Sequence, residues 1–245
     1  MTKKIAIFID NDFYFSILFL KRFFKRHDSS NFIIFLGNDF LNIRRIFIIF
    51  FSLSLLKFIR ISLKIFTNKN SGIVENFLKN KKIEFYPINN INSNEVQKIL
   101  KKNNIKIIFS VINSKIFKKK YYLKYKIFNL HLGKIPEYKG IVPVINAIIK
   151  REKVLFSSIF LISFKGIDTG KIIFENYIRK KNTKDIFDLY TKLYQKGFSD
   201  LIKLSNILLL EKKIKIIKNV KTNEGNYYKY PSFINVIKIS KYFNI

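Results

Sequence analysis

Short apolar runs alternate with amphipathic stretches along this chain. Residues 4–9 (KIAIFI), 32–36 (FIIFL), 106–111 (KIIFSV) and 126–130 (KIFNL) are rich in Ile and Phe and bounded by polar positions. Runs of that length and composition predict buried strands. Between them, 13–26, 71–80, 93–103 and 143–151 read as helices, and Ser93 ahead of Val96, Ile99 and Leu100 reads as a capped amphipathic one. The alternation predicts an α/β fold with a largely parallel sheet. Further on, 154–164 and 171–178 read as two strands flanking the turn KGIDTG (165–170). Residues 184–210 form a long helical pattern, and KIKIIK (213–218) is a last apolar alternation. The pattern divides the chain into a domain over 1–180 and a helix with a short extension over 181–245.

One segment stands outside the alternation. Residues 43–66 are basic and apolar, but the uncharged stretch 46–56 is too short for a hydrocarbon layer of ~30 Å. Lys57, Arg60 and Lys64 fall on one helical face, which fits an interfacial helix on an anionic membrane surface. The favoured reading is a helix packed on the sheet or at a subunit contact.

Composition changes the picture in three ways. The 245 residues are 48% hydrophobic, so a sizeable core forms and global disorder is excluded. No cysteine is present, which excludes disulfides, thiolate metal sites and a cysteine nucleophile; with only two histidines, no metal centre is expected. The formal charge of +31 fits a polyanionic partner, yet the Lys residues are spread along the whole chain, as a coding bias toward Lys, Ile, Asn and Phe would spread them. At the N terminus, Asp10 and Asp12 end the first apolar run too early for a signal peptide, and the expected location is cytoplasmic, with membrane-peripheral attachment through 43–66 as the variant.

The chemistry concentrates at IFNLHLGKIPEYKG (127–140). Positions i and i+2 of a strand point to the same side, so Asn129 and His131 at the end of a strand share one space. Ligands of open α/β sheets bind beyond such strand ends. An amide and an imidazole together can stabilise an oxyanion on a carbonyl carbon, and a neutral imidazole can accept a proton from an attacking amine. A carboxylate is needed to orient the ring. Asp168, on a Gly-bounded turn, is the candidate, and the three suit acyl transfer to an amine.

The same residues resemble the folate-dependent formyltransferase family, which includes methionyl-tRNA formyltransferase, glycinamide ribonucleotide transformylase and the amino-sugar N-formyltransferases. Asn129-Leu130-His131 is similar to the family's Asn-x-His, Ile135-Pro136-Glu137-Tyr138-Lys139-Gly140 to its Leu-Pro-x-(Tyr/Phe)-(Arg/Lys)-Gly, and Asp168-Thr169-Gly170 to its Asp-x-Gly. The likeness covers roughly 105–180. The tail EGNYYKYPS (224–232) also resembles an ending found in some methionyl-tRNA-formyltransferase-like proteins. The resemblance implies a Rossmann-like formyltransferase fold and 10-formyltetrahydrofolate as co-substrate. It implies Asn129, His131 and Asp168 as catalytic residues, and folate contacts at Ile112, Ile116, Gly166, Ile167 and Asp168. The implied acceptor is an amine on a nucleotide-linked amino sugar or on methionyl-tRNA. A catalytically inactive protein of this fold that binds an anionic membrane or nucleic acid is the alternative.

Three departures bear on that expectation. Ile159 and Leu161 occupy the places where many members carry Thr-x-His. The first loop, IDNDFYF (9–15), lacks the glycines that cradle a phosphate. The stretch after 180 is shorter than the further domain of roughly 100 residues that methionyl-tRNA enzymes carry.

Overall fold

The computed structural model describes residues 4–12, 14–38, 72–221 and 223–232, with positions 59, 63, 234, 235 and 239. The segment 43–66, expected as an amphipathic helix, thus lies almost wholly outside the described residues.

The apolar runs are strands of one mixed sheet: β1 (Ile5–Asp10), β2 (Phe32–Gly37), β3 (Phe85–Ile88), β4 (Ile107–Val111) and β5 (Lys126–His131). These pair in parallel in the order β3-β2-β1-β4-β5. The sheet continues antiparallel through β7 (Val154–Ile162), β8 (Gly170–Arg179) and β9 (Lys218–Val220). A separate two-residue strand β6 (Lys139–Gly140) pairs in parallel with β10 (Tyr227–Tyr228). The parallel half is what the alternating pattern predicted, because each parallel neighbour needs a crossover.

Side-chain alternation assigns two faces. Ile5, Ile7 and Ile9 of β1 join Phe109 and Phe128 under α1 (Phe15–Phe24), α2 (Ile73–Asn80), α5 (Pro143–Ile149) and α6 (Ile186–Leu209). Ala6, Phe8, Ile33, Phe35, Ile108 and Ile127 pack on the other face under α3 (Asn94–Lys102) and α4 (Lys119–Lys124). The expected cap holds: Ser93 Oγ accepts from the Val96 amide at 3.2 Å.

Two elements differ from the sequence expectation. Strand β3 carries Pro87 and is only half-buried, so it shows no apolar run; proline is tolerated because β3 is an edge strand. The alternation at 213–218 does not form a strand over that range. Only 218–220 joins β8, and Ile216 and Ile217 are exposed. Helix α6 and β9 pack on the same sheet as the first half of the chain, α6 lying against β7, β8 and α1.

His27 follows the C-terminal end of α1 and ties it to α6. Ser205 Oγ lies 2.7 Å from His27 Nε2 and 2.9 Å from the Ile202 carbonyl oxygen, within hydrogen-bond reach of both. Burial pushes the His27 pKa down, with its hydrogen bonding only partly opposing. A folded-state pKa below the ordinary ~6.5 means the unfolded chain binds the proton more readily. Stability is therefore complete above that value and lost as the pH falls through the window beneath it. Urea unfolding between pH 7.5 and 5.5 is expected to show this decline, and His27→Gln is expected to flatten it.

Candidate active site

The topology opens a crevice between β1 and β4, because the chain runs from β1 outward to β2 and β3 and then crosses back to β4 on the other side of β1. A cavity of about 890 Å³ lies there, lined by Asp10, Ser110, Asn129, His131 and Asp168 among others. Its polar floor follows from the pleat. Positions 6 and 8 of β1, 108 of β4 and 127 of β5 face α3 and α4, and the next positions on the same side are Asp10, Ser110 and Asn129. Each strand turns from apolar to polar as it leaves the core.

The expected trio converges. His131 ends β5 and is buried, with 7% of its surface exposed. Its Nε2 lies 2.8 Å from the Tyr138 carbonyl oxygen. A carbonyl only accepts, so Nε2 carries the proton and Nδ1 is the basic nitrogen. Nδ1 faces Asp168 Oδ2 at 3.7 Å, a gap slightly longer than a hydrogen bond. Asp168 Oδ2 accepts from the Gly140 amide at 2.7 Å. Among the described residues no hydrogen-bond partner meets the Asn129 amide, which borders the cavity beside His131. The loop 132–140 thus touches both other motifs: its Tyr138 carbonyl holds the imidazole and its Gly140 amide holds the carboxylate.

The residues expected at the folate line the same cavity: Ile112, Ile116, Gly166, Ile167 and Asp168. Ile112 and Asp168 both have left-handed backbone, with φ of 52° and 49°. For a β-branched residue that conformation is strained, and such strain clusters where a ligand is held. Ile116 (63% exposed), Phe164 (51%) and Ile167 (44%) leave apolar surface uncovered at the rim. Lys119 Nζ stands 5.8 Å from the Phe164 ring centroid. Burial, with Asp168 as the second cause, pushes the Tyr122 phenol at the same wall upward.

Sequence reasoning missed the other half of the lining. Tyr14, Phe15, Phe187 and Tyr194 form an aromatic wall with ring centroids 4.5–5.7 Å apart. Tyr227 and Tyr230 of the tail join it. Asp10 was legible by the rule that exposed Asn129, since it too ends an apolar strand. Asp12, just ahead of α1, accepts from the amides of Tyr14 (2.9 Å) and Phe15 (2.6 Å). Leu161 and Ile159, at the expected Thr-x-His places, lie opposite Phe128 and Leu130 of β5 and pack in the core.

No family model matches the chain. It is similar to the methionyl-tRNA formyltransferase of Azobacteroides pseudotrichonymphae genomovar. CFP2, with 35% identity over 98 residues, which are 40% of this chain and 30% of that protein. The chain thus matches about a third of that relative's length. In three dimensions it resembles a 4-N formyltransferase from Francisella tularensis, with TM-score 0.62 and 21% identity over 93% of this chain and 76% of that one. It also resembles the N-formyltransferase of Helicobacter canadensis solved with folinic acid and dTDP-3-aminofucose, with TM-score 0.59 and 18% identity over 98% and 80% of the two chains. The fold is the Rossmann-like formyltransferase fold, and the family resemblance expected from the three motifs holds.

Close packing behind the imidazole gives a prediction. A Cβ on Gly133 would lie 2.7 Å from both His131 Nε2 and Pro143 Cβ. Gly133→Ala is expected to displace the ring and destabilise the protein by about 1–3 kcal/mol, read as a lower urea midpoint with unchanged slope.

Proposed function

We propose that this protein is a 10-formyltetrahydrofolate-dependent N-formyltransferase of the methionyl-tRNA-formyltransferase-like kind. Its acceptor is an amine on a nucleotide-linked amino sugar or on methionyl-tRNA. The observation that carries the proposal is the convergence of Asn129, His131 and Asp168 on one cavity whose rim is apolar enough for a pterin.

When bound, 10-formyltetrahydrofolate supplies an activated formyl carbon that takes up negative charge on its oxygen as an amine attacks. Asn129, whose amide has no other partner among the described residues, donates to that oxygen. His131, with Nε2–H committed to the Tyr138 carbonyl, presents Nδ1 as the site that receives the proton leaving the amine and returns it to the folate nitrogen as the folate nitrogen–formyl carbon bond breaks. Asp168, held by the Gly140 amide, faces Nδ1 and stabilises the imidazolium so formed. Ile112, Ile116, Gly166 and Ile167 supply the walls against which the folate lies, and Lys115 and Lys119 at the same rim suit its carboxylates. The sequence and fold likeness to formyltransferases supports the same reading.

Formyl transfer from labelled donor to a panel of amines, followed by product mass, tests the proposal. His131→Ala and Asp168→Asn are each expected to lower kcat by about 10²–10⁴-fold, and Asn129→Ala by about 10²–10³-fold. Wild-type rates in the first two variants would remove those residues from the mechanism. A non-reactive formyl-folate analogue is expected to raise the melting temperature, since a ligand that binds only the folded state stabilises by RT ln(1 + [L]/Kd); no shift at saturating analogue counts against folate. Salt separates the acceptors: KM for methionyl-tRNA rises steeply with ionic strength if several phosphates are contacted, whereas KM for an amino sugar changes little.

A further inference from the structure

The chain's tail runs against the loop that organises the site, residue by residue. Lys139 N donates to the Asn226 carbonyl at 3.0 Å, and Ile141 N to the Tyr228 carbonyl at 2.9 Å. Lys139, a residue only 5% exposed, donates through its ammonium to the Glu224 carbonyl at 2.5 Å. The Tyr138 and Tyr228 rings stack at 5.4 Å with an interplanar angle of 21°. Asn146 Nδ2 reaches the Lys229 carbonyl at 3.4 Å. Gly225 crosses the loop so closely that a Cβ there would sit 1.9 Å from the Pro136 carbonyl oxygen, and its φ is +70°.

This pairing has a geometric effect on the site. Successive amides of a strand point to opposite sides. With the amides of 139 and 141 turned to the tail, the amide of Gly140 between them points away from it, and its partner there is Asp168 Oδ2. Directly before this pair, Tyr138 offers its carbonyl to His131 Nε2 while its ring is held against Tyr228. Both groups that orient the imidazole–carboxylate pair therefore belong to a stretch whose conformation is set by residues 224–229.

We propose that the tail segment 224–229 is a positioning strap: by pairing with 139–141 it aims the Gly140 amide at Asp168 and the Tyr138 carbonyl at His131. Tyr228 and Gly225 are its key positioning residues, and neither touches the reacting atoms. The kinetic part of this inference rests on the formyltransferase reading; the geometric part does not.

Two measurements on the full chain test it. In Tyr228→Ala the strap loses its ring anchor, and kcat for formyl transfer is expected to fall by about 10²-fold, the effect of misplacing a catalytic group by about 1 Å. KM for the formyl donor is expected to change little, and Tyr228→Phe, which keeps the ring, is expected to restore kcat. Independently of any activity, imidazole ¹⁵N resonances at a pH of about 8, where imidazoles are neutral, report the tautomer. In the wild type His131 is expected in the Nε2–H form and in Tyr228→Ala as a mixture, while His27 serves as an unmoved reference. Should Tyr228→Ala not fold, Lys139→Met, which removes the ammonium bonded to Glu224, carries the same two readouts. A variant that folds with an unchanged His131 tautomer and unchanged kcat overturns the strap. A wild type inactive on every amine overturns the formyltransferase reading and leaves the tautomer measurement to decide the strap.

Discussion

The backbone of loop 132–141 is the constraint on which the site depends. A buried main-chain group left without a partner is costly, so each N–H and C=O of the loop must bond to something. Here those bonds are made to the site itself. The Tyr138 carbonyl accepts from His131 Nε2 and the Gly140 amide donates to the Asp168 carboxylate. Ser158 Oγ, on β7 opposite His131, closes the near end by donating to the Gly133 carbonyl at 2.8 Å. Loosening either site bond would leave a main-chain group unpaired. The geometry of a histidine and a carboxylate 37 residues apart is thus secured by the requirement that an intervening loop satisfy its own polar atoms.

The sheet supplies the platform for that loop. Five parallel strands bring their carboxyl ends to one edge, and the change of direction at β1 keeps helices from covering it. The two core faces, one under α1 and α6 and the other under α3 and α4, bury Ile and Phe almost completely. Strand ends that carry Asp10, Ser110 and Asn129 rather than another Ile or Phe leave a polar floor at that edge. The rigid scaffold and the polar floor come from the same strands, separated by one or two positions. Precise placement of Asn129 beside His131 needs no device of its own beyond the pleat of β5.

Much of this was legible along the chain, and the physical reasons for the remainder can be named. Apolar runs at 4–9, 32–36, 106–111 and 126–130 announced buried parallel strands because both faces of those strands are covered. Asn129, His131 and Asp168 stood out because side-chain chemistry is written in residue identity. The Tyr138 carbonyl and the Gly140 amide did not stand out, since every residue carries the same main-chain groups. The pair β6–β10 is two residues long on each side, too short for any periodicity to register. Strand β3 was hidden by Pro87 and a half-exposed edge, and 213–218 alternated like a strand while only 218–220 found a partner. Tyr190 and Tyr194 looked like ordinary positions of a long helix, yet the face they occupy borders the cavity.

The β6–β10 pairing also has a consequence for the order in which the protein matures on the ribosome. His131, the 132–141 loop and Asp168 all emerge before residues 227 and 228, by an interval on the order of seconds at ordinary translation speed. During that interval the amides of Lys139 and Ile141 have only water to bond to, and the parallel half of the sheet is already available to fold. A nascent chain can therefore be well folded yet unfinished at its centre of chemistry until residues 224–229 emerge and pair with 139–141.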